Sequence, residues 1–350
     1  MTAASCCVAW LVAACFAQEA SGHAALKSKV FVVHHPKATE AFKARHEIVK
    51  AMVQQGLTNV AGQSSVDAAW RTFVSARDTV GIKVYSAPGA LSGTRKEVVE
   101  AVVQGLLAAG LPGSNIIIWD KHGLDLQHAG FSEMGQRLGV RVRASQEAGY
   151  DYNAYYESPI IGNLVWGDLD FGRGSEYMGR KSYFTRLVSR ELTKIINISP
   201  LLNHNGAGVC GNLYSLAIGA VDNASRFEWN SERLAQAVPE IYATEWLSDK
   251  VVLNITDALI CQYEGGERTL LHYSLTPNEL WISKDPVALD TLGTIEVSKH
   301  GHRQEGSQRR RAGTLYENAA LLELGQNDTN NIEVLRLEVF TTPVAGLQGS

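Results

Sequence analysis

The sequence predicts an α/β protein: a single doubly wound, mostly parallel sheet flanked by helices, with one irregular insertion. Three observations predict it. Short runs of apolar and β-branched residues recur along the chain. These runs are apolar throughout rather than alternating, as strands covered on both faces must be. Segments with helical periodicity stand between them, which is the pattern of parallel crossover units.

The clearest unit spans 78–143. DTVGIKVY (78–85) is an apolar run, SAPGALSG a loop, and TRKEVVEAVVQGLLAAG (94–110) a helix. A capping box of Thr94 and Glu97 is expected to open this helix, and Gly110 to end it, with Pro112 just beyond. Val98, Val99, Val102, Val103, Leu106 and Leu107 share one face at helical spacing. NIIIWD (115–120) follows as a strand, then a helix around 131–138, then the strand VRVRA (140–144). Further strands are expected at 29–33, 194–199, 250–259, 279–283 and 332–340, and helices at 39–55, 65–74, 231–237, 286–299 and 315–324. Residues 151–192 are rich in Tyr, Gly and charge with no clean period, and read as an insertion or lid. There is no internal repeat, so 24–345 is expected to form one α/β domain.

The net charge of −4 over 350 residues gives no electrostatic case for binding nucleic acid. The one basic cluster, Arg309 to Arg311, reads as part of a solvated loop. The first 17 residues carry no charge and end in small residues, which is the pattern of a signal peptide cleaved after Ala17. VAAC (12–15) offers the alternative of a lipoprotein box with a lipid anchor on Cys15. No apolar run is long enough for a membrane span, so the expected location is exported, periplasmic or extracellular. Beyond that leader only Cys210 and Cys261 remain, too few for an iron–sulfur cluster or a four-cysteine zinc site. Both read as buried free thiols.

In open α/β sheets ligands bind beyond the carboxyl ends of the strands. Several expected strands end in polar groups: Lys83 and Tyr85; Asp120, Lys121 and His122; Asn203, His204 and Asn205; Asp257; Lys284 and Asp285; His34 and His35. The expected catalytic set is Lys83, Asp120, His122, His204 and Asp257. His204 would be a general base or metal ligand, Asp257 and Asp120 ligands or acid–base partners, and Lys83 an electrostatic clamp. Tyr85, Asn203, Asn205, Gly206, Gly208, Asn212 and Asp285 are expected to contact substrate, although Asp285 before Pro286 also reads as a helix cap. A divalent metal on His204 and Asp257 is the one cofactor these residue types suggest, without a tight ligand spacing to support it.

NHNGAGVCGNL (203–213) contains a formal G-x-G-x-x-G at Gly206, Gly208 and Gly211. Six residues separate it from Ser199, and no second strand carries an acidic residue at the required distance, so it reads as a tight turn rather than a dinucleotide fingerprint.

DTVGIKVY, the 94–121 segment, INISPLLNHNGAGVCGNLYSLAIGAVDN, ITDALICQYEGG and ISKDPVALDTLGTIE, in this order over 78–299, resemble the domain-of-unknown-function family 362. The resemblance implies that Lys83, His204, the Gly206–Gly211 loop, Asp257, Asp285 and Asp290 are signature positions, and it supplies no reaction. It also marks a departure: many relatives resemble Lys-Asp-His and Lys-Asn where this chain has Leu202-Asn203-His204 and Tyr214-Ser215. The functional expectation is an exported enzyme, of hydrolase or lyase type and with metal assistance as one option, acting on a small polar or anionic molecule. The alternative is a non-catalytic protein that binds a metal or small ligand.

Overall fold

The computed structural model describes residues 27–158, 180–301 and 306–339. The expected signal peptide (1–17), with Cys15, and the centre of the 151–192 segment lie outside the described residues.

The sheet is built from β1 (Ser28–His34), β2 (Val80–Val84), β3 (Ile116–Asp120), β4 (Arg141–Ala144), β7 (Lys194–His204), β9 (Val251–Gln262), β10 (Glu279–Ser283) and β11 (Ile332–Glu338). Between these in the chain, β5 (Tyr150–Glu157) and β6 (Lys181–Thr185) form a separate antiparallel ladder, and β8 (Gly208–Val209) folds back on β7. The main order is β11-β1-β10-β9-β7-β2-β3-β4. All neighbours are parallel except β10, which runs antiparallel to both β1 and β9.

Helices α1 (His46–Ala61), α2 (Val66–Phe73), α3 (Lys96–Ala108) and α4 (Phe131–Leu138) cover one face. Helices α5 (Asn212–Ala220), α6 (Ser231–Tyr242), α7 (Pro286–His300) and α8 (Gly306–Leu321) cover the other. The chain winds from β2 through β3 to β4 over the first face, then from β7 to β9 over the second. Right-handed crossovers in opposite directions put their helices on opposite faces, so the winding reverses between β2 and β7. That reversal opens a crevice at the carboxyl ends of β2, β3 and β7.

Four local expectations change. The capping box does not form. Thr94 instead accepts the Tyr85 N–H and donates to the Ile198 carbonyl, while Asp257 from β9 accepts the Arg95 N–H ahead of α3 (2.9 Å). Residues 39–45 precede α1 as a short ladder between 39–40 and 43–44. Arg309 to Arg311 lie within α8 rather than in a loop. The described ends of the 151–192 segment are regular: β5 and β6 pair, and Phe184 bridges to Val221.

Helix α5 escaped the sequence reading. All nine of its residues are buried, so it has no polar face and no helical period to detect. Its first turn has no cap of its own. Asp290 from α7 accepts the Asn212 N–H (2.6 Å), the Leu213 N–H (2.8 Å) and the Asn212 side-chain amide (3.1 Å). Gly211 permits this approach, because a Cβ there would stand 2.4 Å from the Asp290 carboxyl carbon.

Burial pushes the Asp290 carboxyl from an ordinary 3.8 up to about 7, against the downward pull of the Asn212 and Leu213 N–H groups. The fold therefore holds a proton that the unfolded chain releases near pH 4. The contribution to stability is complete below about pH 4 and falls as pH rises to about 7, at no more than about 1.4 kcal/mol per pH unit. Urea unfolding at pH 5 and pH 7 is expected to show this decline in the wild type and not in Asp290→Asn; equal slopes would mean that Asp290 is ionised in the fold.

Candidate functional site

The floor of the crevice is a buried ion pair. Lys83, near the end of β2, gives its three ammonium hydrogens to Asp120 Oδ1 (2.9 Å), Ser215 Oγ (3.1 Å) and the Val84 carbonyl (2.6 Å). The Tyr85 and Trp119 rings flank it at 5.9 and 5.7 Å. Asp120, at the end of β3, is equally filled. Its Oδ2 accepts the Ser86 N–H and hydroxyl, both at 2.7 Å, and its Oδ1 also accepts the Lys121 N–H at 2.8 Å. Burial pushes the Lys83 ammonium below its ordinary value, partly offset by Asp120. Burial opposes ionisation of Asp120 as well, but Lys83 and Ser86 outweigh it and hold the carboxyl below its ordinary range. Gly219 of α5 lets the helix close over the pair, since a Cβ there would lie 2.3 Å from Lys83 Cε.

Above this floor lies a cavity of about 150 Å³. Tyr85, Asp120, Lys121, His122 and Asp125 line one side; Tyr214, Ser215, Ile218 and Gly219 of α5 line another; Glu228 and Glu267 complete it. Two phenols each donate to a carboxylate: Tyr214 to Glu228 (2.7 Å) and Tyr85 to Glu267. The two rings meet edge to face at 6.4 Å. Burial raises both phenols well above their ordinary value, so they stand as neutral donors. Among the described residues no cation pairs with Glu228 or Glu267. His122 Nδ1 meets the Gln146 amide oxygen at 2.9 Å, and Lys121 Nζ donates to the Asp222 carbonyl at 3.2 Å.

Of the expected site residues, the structure brings Lys83, Tyr85, Asp120 and His122 to one place. His204 stands behind it. β7 runs on to His204, past the expected end at Ser199, and turns back through Gly208, whose φ of 87° favours glycine. The imidazole lies 4.2 Å from the Tyr214 ring, and its Nδ1 accepts the N–H groups of Gly206 (3.2 Å) and Ala207 (2.9 Å). Nδ1 is therefore occupied and Nε2 carries the hydrogen of the neutral ring. Burial lowers its pKa to about 4, opposed by Glu228. This arrangement suits a brace for Tyr214, not a base or a metal ligand.

The remaining expected residues lie elsewhere. Asp257 is on the opposite face of the sheet, held by Arg95 (Nη1 at 3.1 Å). In the register it sits opposite Pro200, roughly 13 Å along the strand from the level of His204, so the two do not form a metal-ligand pair. Among the described residues no group of three or more His, Cys, Asp or Glu side chains is placed to hold a metal ion. Asp285 is at the other edge, because β10 is antiparallel. There it accepts the Ala288 N–H as the cap of α7 and also bonds Ser28 and the Gln326 N–H. Asn212 is fully buried, bonded to Thr256, Asp290 and Asn197. Asn203 accepts the Gly266 N–H, and Asn205 is exposed in the turn.

Tyr214, Ser215, Glu228 and Glu267 were not among the expected contacts. Tyr214 had one signal, since it stands where the resemblance expects lysine, and it is the residue that fills that wall with a phenol. Leu202, the other such position, is packed in the core. Glu267 carried no signal: it reaches the cavity from a loop whose shape depends on Gly265 (φ 96°) and Gly266 (φ 60°), tied down by Gln262. Cys210 and Cys261 are both free and buried.

Removing one partner of the floor leaves the other buried and uncompensated. Lys83→Met is expected to lower unfolding stability by about 3–5 kcal/mol, and Gly219→Ala by about 1–3 kcal/mol through overpacking. Urea denaturation of each variant measures both; a Lys83→Met change below about 1 kcal/mol would show the pair to be solvated.

A search of the curated proteins found no significant match. Among solved structures, the crystal structure of a Thermotoga maritima protein, a structural-genomics target, is similar over 75% of this chain at 12% identity and a TM-score of 0.42. The match spans 60% of that protein's length. The family profile described as "Domain of unknown function (DUF362)" matches residues 80–294, which hold β2, β3, β7, β9 and every residue lining the cavity, and the chain belongs to that family.

Proposed function

We propose that the protein is an exported α/β enzyme of hydrolase or lyase type whose substrate, a small polar molecule, occupies the cavity at the carboxyl ends of β2 and β3. One observation carries this reading: two phenol–carboxylate pairs, Tyr85–Glu267 and Tyr214–Glu228, face the same cavity. A neutral phenol is a proton donor and a carboxylate an acceptor, which is the equipment of general acid–base catalysis. Lys83 and Asp120 have no hydrogen-bonding capacity left for a substrate, so their role is to fix the floor rather than to react. The cavity is smaller than the roughly 300–1,000 Å³ typical of drug-sized ligands, which supports a substrate of few atoms or one group of a larger molecule. Asp125, Glu228 and Glu267 outnumber Lys121 in the lining, which argues against the anionic substrate of the sequence-based expectation. His204 and Asp257 lie apart, so this pair lends metal assistance no support. The saturated floor favours a second reading, a non-catalytic binding protein.

A turnover screen over small polar compounds distinguishes the two. Glu267→Gln and Tyr85→Phe are expected to lower kcat by roughly 10²–10⁴-fold with the fold retained. Unchanged turnover in both variants would overturn the site assignment, and binding without turnover would establish the second reading. For export, the mature chain is expected to begin at Gln18 in the periplasmic or extracellular fraction. N-terminal sequencing checks this. A lipid-bearing Cys15 would establish the lipoprotein alternative, and an intact Met1 would refute export.

A further inference from the structure

We infer that the ligand of this cavity is a neutral polyhydroxylated molecule; the inference rests on the cavity assignment above. Two independent features converge on it. The first is charge. The lining is acidic, Glu228 and Glu267 have no cationic partner among the described residues, and each keeps acceptor capacity beyond its tyrosine. Anions are repelled, and hydrogen-bond donors are attracted.

The second is Ser215. Its oxygen is buried against the floor and accepts from Lys83, so its own O–H hydrogen must find an acceptor, and none is present among the described residues. The side chain lines the cavity, so a ligand acceptor there would satisfy it. An ammonium ligand has donors only and would leave the Ser215 hydrogen unpaired. A hydroxyl group does both: it donates to a carboxylate and accepts from a serine.

The test uses the full chain and ligand-observed NMR. The probes are four neutral monosaccharides (glucose, galactose, mannose and N-acetylglucosamine), with ethylammonium and inorganic phosphate as charged comparators. At least one sugar is expected to bind, and Ser215→Ala to weaken it about tenfold by removing the hydroxyl that donates to the ligand, with Glu267→Gln, on another wall of the cavity, weakening it likewise. Sugar binding that is indifferent to both Ser215→Ala and Glu267→Gln overturns the proposal. Binding of ethylammonium or phosphate alone, lost in Glu267→Gln, overturns the polyhydroxylated ligand and leaves the cavity reading standing. No binding of any probe overturns both.

Discussion

The Lys83–Asp120 pair organises the carboxyl edge of the sheet. It joins β2 to β3, draws in Ser215 of α5, and through Ser86 fixes the start of the loop that follows β2. Two charges in a dry interior persist only when each is paired and its remaining hydrogen-bonding positions are filled. Here all three ammonium hydrogens and both carboxylate oxygens are used. The consequence is a rigid polar floor with no reactivity to spare, which shifts the burden of recognition to the groups standing on it.

A second polar system lies under the same helix. Asp290, Asn212, Asn197 and Thr256 bind the first turn of α5 to α7, β7 and β9. With Lys83 towards one end of α5 and Asp290 at the other, an apolar helix is placed by two polar attachments rather than by its side-chain pattern. Hydrophobic burial alone would leave such a helix free to slide or rotate; hydrogen bonds with fixed geometry do not. Tyr214 and Ser215 owe their positions in the cavity wall to this.

The fold was legible because strands buried on both faces and amphipathic crossover helices leave periodic marks in the chain. β2, α3, β3, α4 and β4 lie where apolar spacing put them. The marks failed where periodicity is absent. α5 has no polar face, β7 outran its β-branched core because Leu201 and Leu202 continue into the interior, and the α3 cap came from a distant strand rather than from Thr94.

The site was half legible, and the division has a physical cause. Composition and chain order place polar residues at strand ends, and Lys83, Tyr85, Asp120 and His122 meet there because parallel strands share an edge. Which way each remaining group faces depends on strand direction and on the face of the sheet, neither of which is local. Asp285 sits at the wrong edge because β10 is antiparallel, and Asp257 on the wrong face because its neighbours in the strand alternate the other way. Glu228 and Glu267 arrive from connections far away in the chain. Chain order thus named the strand ends and the buried lysine; only the packed sheet decided that His204 braces, that Asp257 and Asp290 cap, and that two tyrosines and two glutamates form the wall, because those roles belong to neighbours brought together by the topology.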